Sequence, residues 1–329
     1  MTNEGGANNL TVTLHNSLMR TGVFSDGKVS SFTAYKDLAP SYKKQLGKSA
    51  YVRFKAMKLI KDSDEVVFLS HHRRMTTLLL GLSKLLRKKV RIVHIAHITL
   101  NTFRHATLFP KYTIAVSNNV KQNLQEYFKV KDVRVIYNGT PSVKYNLDKP
   151  LNSNHIVVTV PAFINARKQQ LAIVRFLKNK LPKQITIQFA GDGPDRKELE
   201  KLVSDDKQFK VLGLVDDMHS LYRNSDYVLL FSKSEGLPLS LIEAQSYGIP
   251  VICNDVGGNL EILKPRKNGF FANSMPELLE CLNNLPNVEI STYHEMRVQS
   301  LENFSEKFQF DKMMEKYVDL FHEVIHSKL

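Results

Sequence analysis

The stretch from Tyr227 to Cys253 restricts the possible folds more than any other part of this chain. Five residues of buried-strand type, Tyr227-Val228-Leu229-Leu230-Phe231, lead through a loop holding Gly236 and Pro238 into a helical segment. That segment stops at Gly248, with Pro250 two residues on, and a second apolar run, Val251-Ile252-Cys253, follows. Strand, helix and strand in so short a space read as a crossover between parallel strands, and a parallel sheet needs helices on its faces. The same alternation continues elsewhere. Residues 66–69, 90–95, 112–116 and 133–137 read as strands, with helical patterns over 73–88 and 118–128. A polar stretch from Asn138 to Asn154, carrying Pro141 and Pro150, reads as a linker. The pattern then restarts with strands at 156–160, 185–189 and 210–212, and with helices over 167–179 and from near Asp195. The expected class is α/β with parallel sheets, in two domains covering 1–145 and 146–329. The final stretch from Phe304 is amphipathic, with Phe308, Met313, Tyr317, Leu320, Phe321 and Ile325 on one face.

The loop Glu235-Gly236-Leu237-Pro238 opens onto Leu239 at a helix start, where unpaired N–H groups and the positive end of the macrodipole favour an anion such as a diphosphate. Gly236 lets backbone approach a ligand, and Pro238 stiffens the loop. Glu235 and Glu243, with seven residues between them, put one carboxylate before the helix and one about a turn inside it. An ionised carboxylate at the second place can accept from two vicinal hydroxyls. Taken alone, such a pair is more often a helix cap and a solvated residue.

The words around the pair lower that bland reading. SEGLPLSLIEA, YGIPVI, DVGGNLEIL and NGFF follow one another between Ser234 and Phe271. In order and spacing they resemble the donor-binding half of the retaining glycosyltransferases of family 4, a resemblance covering most of residues 155–329. It implies the GT-B architecture, two facing Rossmann-like domains, with the last helix packing back across the first; the residues alone equally allow a terminal helix that caps its own domain. It implies metal-independent transfer of a sugar with retention from a nucleotide-diphosphate sugar, expected to be UDP-linked, with no cofactor. In the family the residue matching Glu243 binds the ribose, and the one matching Glu235 lies beside the transferred sugar. Lys168 matches the pyrophosphate lysine; the arginine usual six residues earlier is Ala162 here, so one clamp residue is either absent or supplied by Arg167. Leu214 and Val215 match the base-binding edge. His97, at the end of a predicted strand, matches the active-site histidine better than His94 does, and His71 and His72 follow a strand on the acceptor side. Gly5 and Gly6 match the first glycine loop, yet no strand precedes them, so the expectation is either that the first strand of that domain is missing or that the domain departs from the family.

Gly257-Gly258 precedes a short helix and can add N–H donors to the donor sugar or phosphate, or be an ordinary turn. Gly191-Asp192-Gly193-Pro194 follows a strand, but Arg196 stands where a dinucleotide fingerprint needs its third glycine, so it is weak evidence for NAD. The histidines do not cluster as metal ligands, and Cys253 and Cys281 are expected to be reduced thiols.

Charge is divided unevenly. Residues 1–150 carry 25 Lys and Arg against 9 Asp and Glu, a net +16, while the remaining 21 against 23 come to −2, so the excess charge of a chain of net +14 belongs to the first half. Such a field draws anionic partners. Lys43, Lys44, Lys48, Arg53, Lys55, Lys58 and Lys61 interleave with Leu46, Tyr51, Val52, Phe54, Met57 and Leu59, which reads as a basic amphipathic helix; residues 78–89 form a second basic stretch. No apolar run approaches membrane-span length and no signal-type leader is visible, so the expected place is cytoplasmic, peripheral on the inner face of the plasma membrane. The function expected is a hexosyl- or N-acetylhexosaminyl-type glycosyltransferase acting on a lipid-linked or anionic glycan acceptor in bacterial envelope polysaccharide synthesis. A non-catalytic GT-B partner subunit is the alternative. A nucleic-acid-binding protein would also explain the charge, but the aromatic-basic signatures of RNA modules are absent.

Overall fold

The computed structural model of the chain describes residues 6–31, 43–45, 48, 51–53, 60–61, 66–143, 147 and 149–327. Two compact units divide it: one holds the chain up to Tyr137 together with Asp311–Leu329, the other Asn138–Phe310.

In the first unit, helix α1 (Gly6–Arg20) buries Leu10, Leu14 and Leu18. Strands β1 (Val29–Ser31) and β2 (Tyr51–Arg53) pair in parallel. Tyr51–Arg53 is therefore extended, and the stretch from Lys43 to Lys61 is not one basic helix; a short run of aromatic and β-branched residues prefers the pleated surface. Leu46, Phe54, Lys55, Met57, Lys58 and Leu59 lie outside the described residues. The main sheet is parallel, in the order β3 (Val67–Ser70), β4 (Arg91–Ala96), β5 (Tyr112–Ala115), β6 (Val133–Val135). Central β5 is buried along its whole length, as a strand covered on both faces must be. Helix α2 (Arg73–Leu85) follows β3, and α3 (Asn118–Glu126) follows β5, its N-cap Ser117 accepting from the Val120 amide.

Residues 304–326 are broken at Phe308 and Gln309. Helix α10 (Ile290–Lys307) ends there and α11 (Phe310–His326) begins afresh, because Phe308 and Phe310 make backbone bonds with Thr140. Helix α11 buries Met313, Tyr317, Leu320 and Phe321, while Val324 rather than Ile325 completes the apolar face. Arg91 donates to the carbonyl of Val324 in the last turn of α11 and to that of Ser327 just after it, and Phe321 meets Phe24 edge-on at 5.1 Å.

The second unit is built on a six-stranded parallel sheet in the order β12-β11-β10-β7-β8-β9. Its strands are β7 (Ile156–Pro161), β8 (Ile185–Ala190), β9 (Phe209–Gly213), β10 (Tyr227–Leu230), β11 (Val251–Cys253) and β12 (Gly269–Phe271). Strands β7 and β10 at the centre are almost continuously buried, whereas edge strand β9 alternates between buried and open positions. The crossovers are α4 (Gln170–Leu177), α5 (Arg196–Val203), α6 (Met218–Arg223), α7 (Leu239–Ser246) and α8 (Asn259–Ile262), with α9 (Met275–Asn284) and α10 (Ile290–Lys307) after β12. Helix α9 starts with a reciprocal cap: Ser274 Oγ accepts from the Glu277 amide, and the Glu277 carboxylate accepts from the Asn273 amide. The segment read as a linker is fastened to this unit. The buried guanidinium of Arg297 donates to the carbonyls of Leu147, Lys149 and Gly248, and Asn138 donates to the carbonyl of Leu237.

One property of this sheet determines where chemistry can occur. The chain winds outward from β7 through β8 to β9, returns to the middle at β10, and winds the other way to β12. The crevice at the carboxyl ends of β7 and β10 is a topological switch point, where successive loops part and a ligand can enter.

Candidate functional site

The loops after β7 and β10 carry Arg167-Lys168 and Glu235, separated by more than sixty residues in sequence and brought together at that crevice. Each loop is held by its own side chains. The side-chain oxygen of Asn165 accepts from the amides of Arg167 and Lys168, and the buried Gln170 amide bonds both Asn165 and Phe163. The Lys233 amide donates to the Arg167 carbonyl at 2.9 Å, tying loop to loop. Lys168 Nζ then lies 2.5 Å from Glu235 Oε1, and Arg167 Nη1 lies 3.6 Å from Oε2 while donating to the Ser234 carbonyl. Glu235 is buried. No side chain caps α7, so Glu235 is an ion-pair partner and not the cap of that helix.

Two cations around one buried carboxylate leave a net positive charge. Burial pulls the Lys168 ammonium below its ordinary range; Glu235 opposes that shift and Arg167 adds to it. A further anion in the crevice would relieve this excess, and the free N–H groups at the start of α7 carry the same sign of potential.

The loop after β11 is joined to this assembly. Gly257 has φ +62, and a Cβ there would sit 2.1 Å from the Glu235 carbonyl oxygen, so only glycine permits the approach. The Gly258 amide donates to the Gly236 carbonyl at 2.9 Å. Asn254, which the sequence reading did not single out, clamps Ser232 by bonding both its amide and its carbonyl. Leu237 is buried, and Pro238 occupies the position before the first residue of α7, Leu239.

Glu243 lies in the second turn of α7. Tyr222 Oη donates to its Oε2 at 2.7 Å, and the Tyr222 ring stacks on Tyr247, whose hydroxyl meets His219 Nδ1 at 2.9 Å. Burial raises the Glu243 carboxyl above its usual range, with the Tyr222 bond as the opposing influence. Tyr222 was also missed, because its link to α7 is tertiary. Leu214, 61% exposed, and the half-buried Val215 follow edge strand β9. They belong to the same carboxyl rim: Gly191 donates to the Gly213 carbonyl, and Ile164 to that of Asp192.

In the first unit, His71 follows β3 and His97 follows the neighbouring β4. Their rings lie edge to edge and 13° from parallel, with centroids 5.1 Å apart and His71 Nδ1 2.8 Å from His97 Nε2. Burial lowers His97 to about 4 and His71 well below its usual value. His94, inside β4, is held by Thr76 Oγ1 at 2.8 Å and serves packing. His72 is exposed at the start of α2. Gly6 is the first residue of α1, and Gly5 lies outside the described residues. Among the described residues no three His, Cys, Asp or Glu gather as a metal site, and no helix is long and apolar enough to cross a membrane.

Two family models account for most of the chain: "Glycosyltransferase Family 4" matches residues 5–142 and "Glycosyl transferases group 1" matches residues 148–280. The chain belongs to the family 4 glycosyltransferases of GT-B fold. It is 24% identical over 229 residues to N-acetyl-alpha-D-glucosaminyl L-malate synthase of Bacillus anthracis, covering 65% of this chain and 60% of that one. Over 250 residues it is 29% identical to the capsular polysaccharide biosynthesis glycosyltransferase CapH of Staphylococcus aureus, covering 68% of each. The chain spans about 60% of the length of the first curated relatives it matches. The crystal structure of Anabaena HepE in complex with UDP superposes with a TM-score of 0.81 at 18% identity, covering 98% of both chains.

Proposed function

We propose that this protein transfers a sugar, with retention of anomeric configuration, from a UDP-linked donor to a glycan or lipid-linked acceptor in bacterial envelope polysaccharide assembly, and that it needs no metal. The observation that carries the proposal is the buried Glu235 carboxylate between Lys168 and the exposed Arg167, with its excess positive charge, at the switch point of the second unit. In this reading the start of α7, Lys168 and Arg167 stabilise the departing diphosphate through charge placed in advance of the reaction. Glu243 accepts from the ribose hydroxyls. Glu235, Gly236 and the Gly257-Gly258 loop line the donor sugar, with Leu214 and Val215 at the base edge. His97 meets the sugar near the reacting carbon, and His71 and His72 line the acceptor side. The pathway is supported by capsule biosynthesis in a relative, and the base by UDP in a structural neighbour. The test is release of UDP from UDP-sugars by purified protein in the presence of a chelator, compared with Glu243→Ala.

A specific observation favours an acceptor presented at an anionic membrane. From Val66 to Gln125 the sequence contains ten Lys and Arg and not one Asp or Glu. On α2, Arg74, Leu78, Gly81 and Leu85 form an exposed stripe, Leu85 being 75% exposed. The loop carrying exposed Phe103 and Leu108 packs beside it through Arg73 to Thr102 and through the Leu108 amide to Thr77. Leucines and phenylalanine among cations suit the interface of an acidic bilayer. The chain has no tryptophan, so Leu85→Trp creates a single reporter. Its emission is expected to shift to the blue with phosphatidylglycerol vesicles and not with phosphatidylcholine vesicles, and the effect should weaken with salt. An unmoved spectrum with acidic vesicles would contradict this membrane reading.

A further inference from the structure

The loops after β3 and β4 place two imidazoles against each other, with His71 Nδ1 and His97 Nε2 2.8 Å apart and the rings 13° from parallel. Two ring nitrogens at that distance need one proton between them, since two lone pairs, or two N–H groups, would repel. Either nitrogen can be the donor. If His97 Nε2–H donates, the proton of His71 must sit on its own Nε2, which is buried and has no partner among the described residues. If His71 Nδ1–H donates, that buried nitrogen holds only a lone pair. A stranded buried N–H is the rarer condition in folded proteins, and the second arrangement avoids it. The proton of His97 is then on Nδ1.

We infer that His71 is a positioning residue for His97: its Nδ1–H bond to His97 Nε2 holds the His97 ring as the neutral Nδ1–H tautomer, a hydrogen-bond donor and not a base or a cation. The inference rests on the reading of His97 as the residue that meets the transferred sugar. A fixed donor suits a polyol, whose hydroxyl oxygens accept, and it explains why a second histidine stands behind the first.

The surroundings keep the pair uncharged. Strands β3 and β4, helix α2 and the loops after them all lie in the stretch from Val66 to Gln125 that has no carboxylate. The ionisable groups nearby are His94 from β4, bonded to Thr76, and His72, Arg73 and Arg74 at the start of α2. Burial is the main cause of the low values of both rings, and for His71 the neighbouring His97 and His94 add to it. A proton added to His97 Nε2 would set two N–H groups face to face and break the bond, and one added to His71 would place a charged N–H on the buried Nε2, which has no partner among the described residues.

The full chain labelled with nitrogen-15 histidine tests this without substrate. Long-range proton–nitrogen spectra are expected to show His97 with a bare Nε2 and a protonated Nδ1, unchanged between about pH 5 and 8, the range over which an ordinary imidazole titrates. A protonated His97 Nε2, or titration within that range, overturns the inference. In the same spectra, His71→Asn, which can still donate from near the same place, is expected to leave His97 with a bare Nε2 and a protonated Nδ1. His71→Leu is expected to lower kcat about tenfold, the worth of one hydrogen bond, with donor KM unchanged and both His97 tautomers visible. A His71→Leu protein with the original tautomer and full kcat also overturns it. Full turnover in His97→Leu would instead remove the sugar-contact reading and leave the tautomer result standing, so the two failures are told apart.

Discussion

Lys168→Met is expected to cost this protein both stability and turnover, and a second substitution should separate the two losses. In the native site the ammonium is 2.5 Å from a buried carboxylate whose other cation is 3.6 Å away. Removing it leaves Glu235 with one distant partner in a place where burial penalises charge, and breaking a buried pair in this way costs about 3–5 kcal/mol. Donor turnover should fall by about 10²–10³-fold, the usual effect of deleting one group that stabilises developing negative charge. Adding Glu235→Gln removes the stranded charge. The double variant is expected to regain most of the stability in urea unfolding while turnover stays lost. If the double variant is no more stable than Lys168→Met, the two residues do not act as a pair, and the net positive charge assigned to the crevice is wrong.

Glu243→Gln is expected to strengthen the empty fold near neutral pH and to weaken nucleotide binding on the order of a hundredfold. Glutamine keeps an oxygen for Tyr222 but has no charge. Burial raises the carboxyl, so the folded state holds its proton more tightly than the unfolded chain does. Such a group contributes stability below its unfolded value, and that contribution is lost as pH rises through the folded one. At neutral pH the wild type therefore carries the burden of a buried anion that Gln does not. In the proposed site the ribose, by contrast, would need the ionised form, to which both hydroxyls would donate charge-assisted bonds. UDP affinity of the wild type should accordingly rise as pH increases through the raised carboxyl value, while that of Glu243→Gln should be flat. Tyr222→Phe removes the bond that favours ionisation and should move the wild-type transition to higher pH. Calorimetric titration of UDP across that range checks both. A Glu243→Gln protein binding UDP as tightly as wild type would exclude Glu243 from the nucleotide site.

Much of the second unit could be read from its residues, for a physical reason. Continuous apolar runs such as Tyr227–Phe231 and Val251–Cys253 become central parallel strands, and Gly248 with Pro250 marks the helix end between them. Elements with weaker local signals were harder. NGFF was noticed as a word, yet it forms edge strand β12, three residues long. Helix α9 was passed over although Ser274 and Glu277 have the spacing of a reciprocal cap. The basic stretch around Tyr51 misled because interleaved cations and apolar residues suit a helix or a half-buried strand equally well. The site shows the same limit. Glu235 and Lys168 were each visible, but their meeting depends on the reversal of strand order between β7 and β10, which no spacing encodes. Tyr222 and Asn254 act on residues about twenty positions away through tertiary packing, so no local word announced them. His71 and His97 were both noted, and only adjacent strands bring their rings together.

The most direct test of the central claim, a metal-independent donor site in the second unit, is UDP release from a panel of UDP-sugars by the purified full chain with excess chelator and acidic vesicles. At least one UDP-sugar is expected to be consumed at a rate the chelator does not change, and Glu243→Ala is expected to lower the rate at least about a hundredfold, in keeping with two lost charge-assisted bonds. No consumption of any donor together with no calorimetric UDP binding, or a rate that Glu243→Ala leaves unchanged, would contradict it.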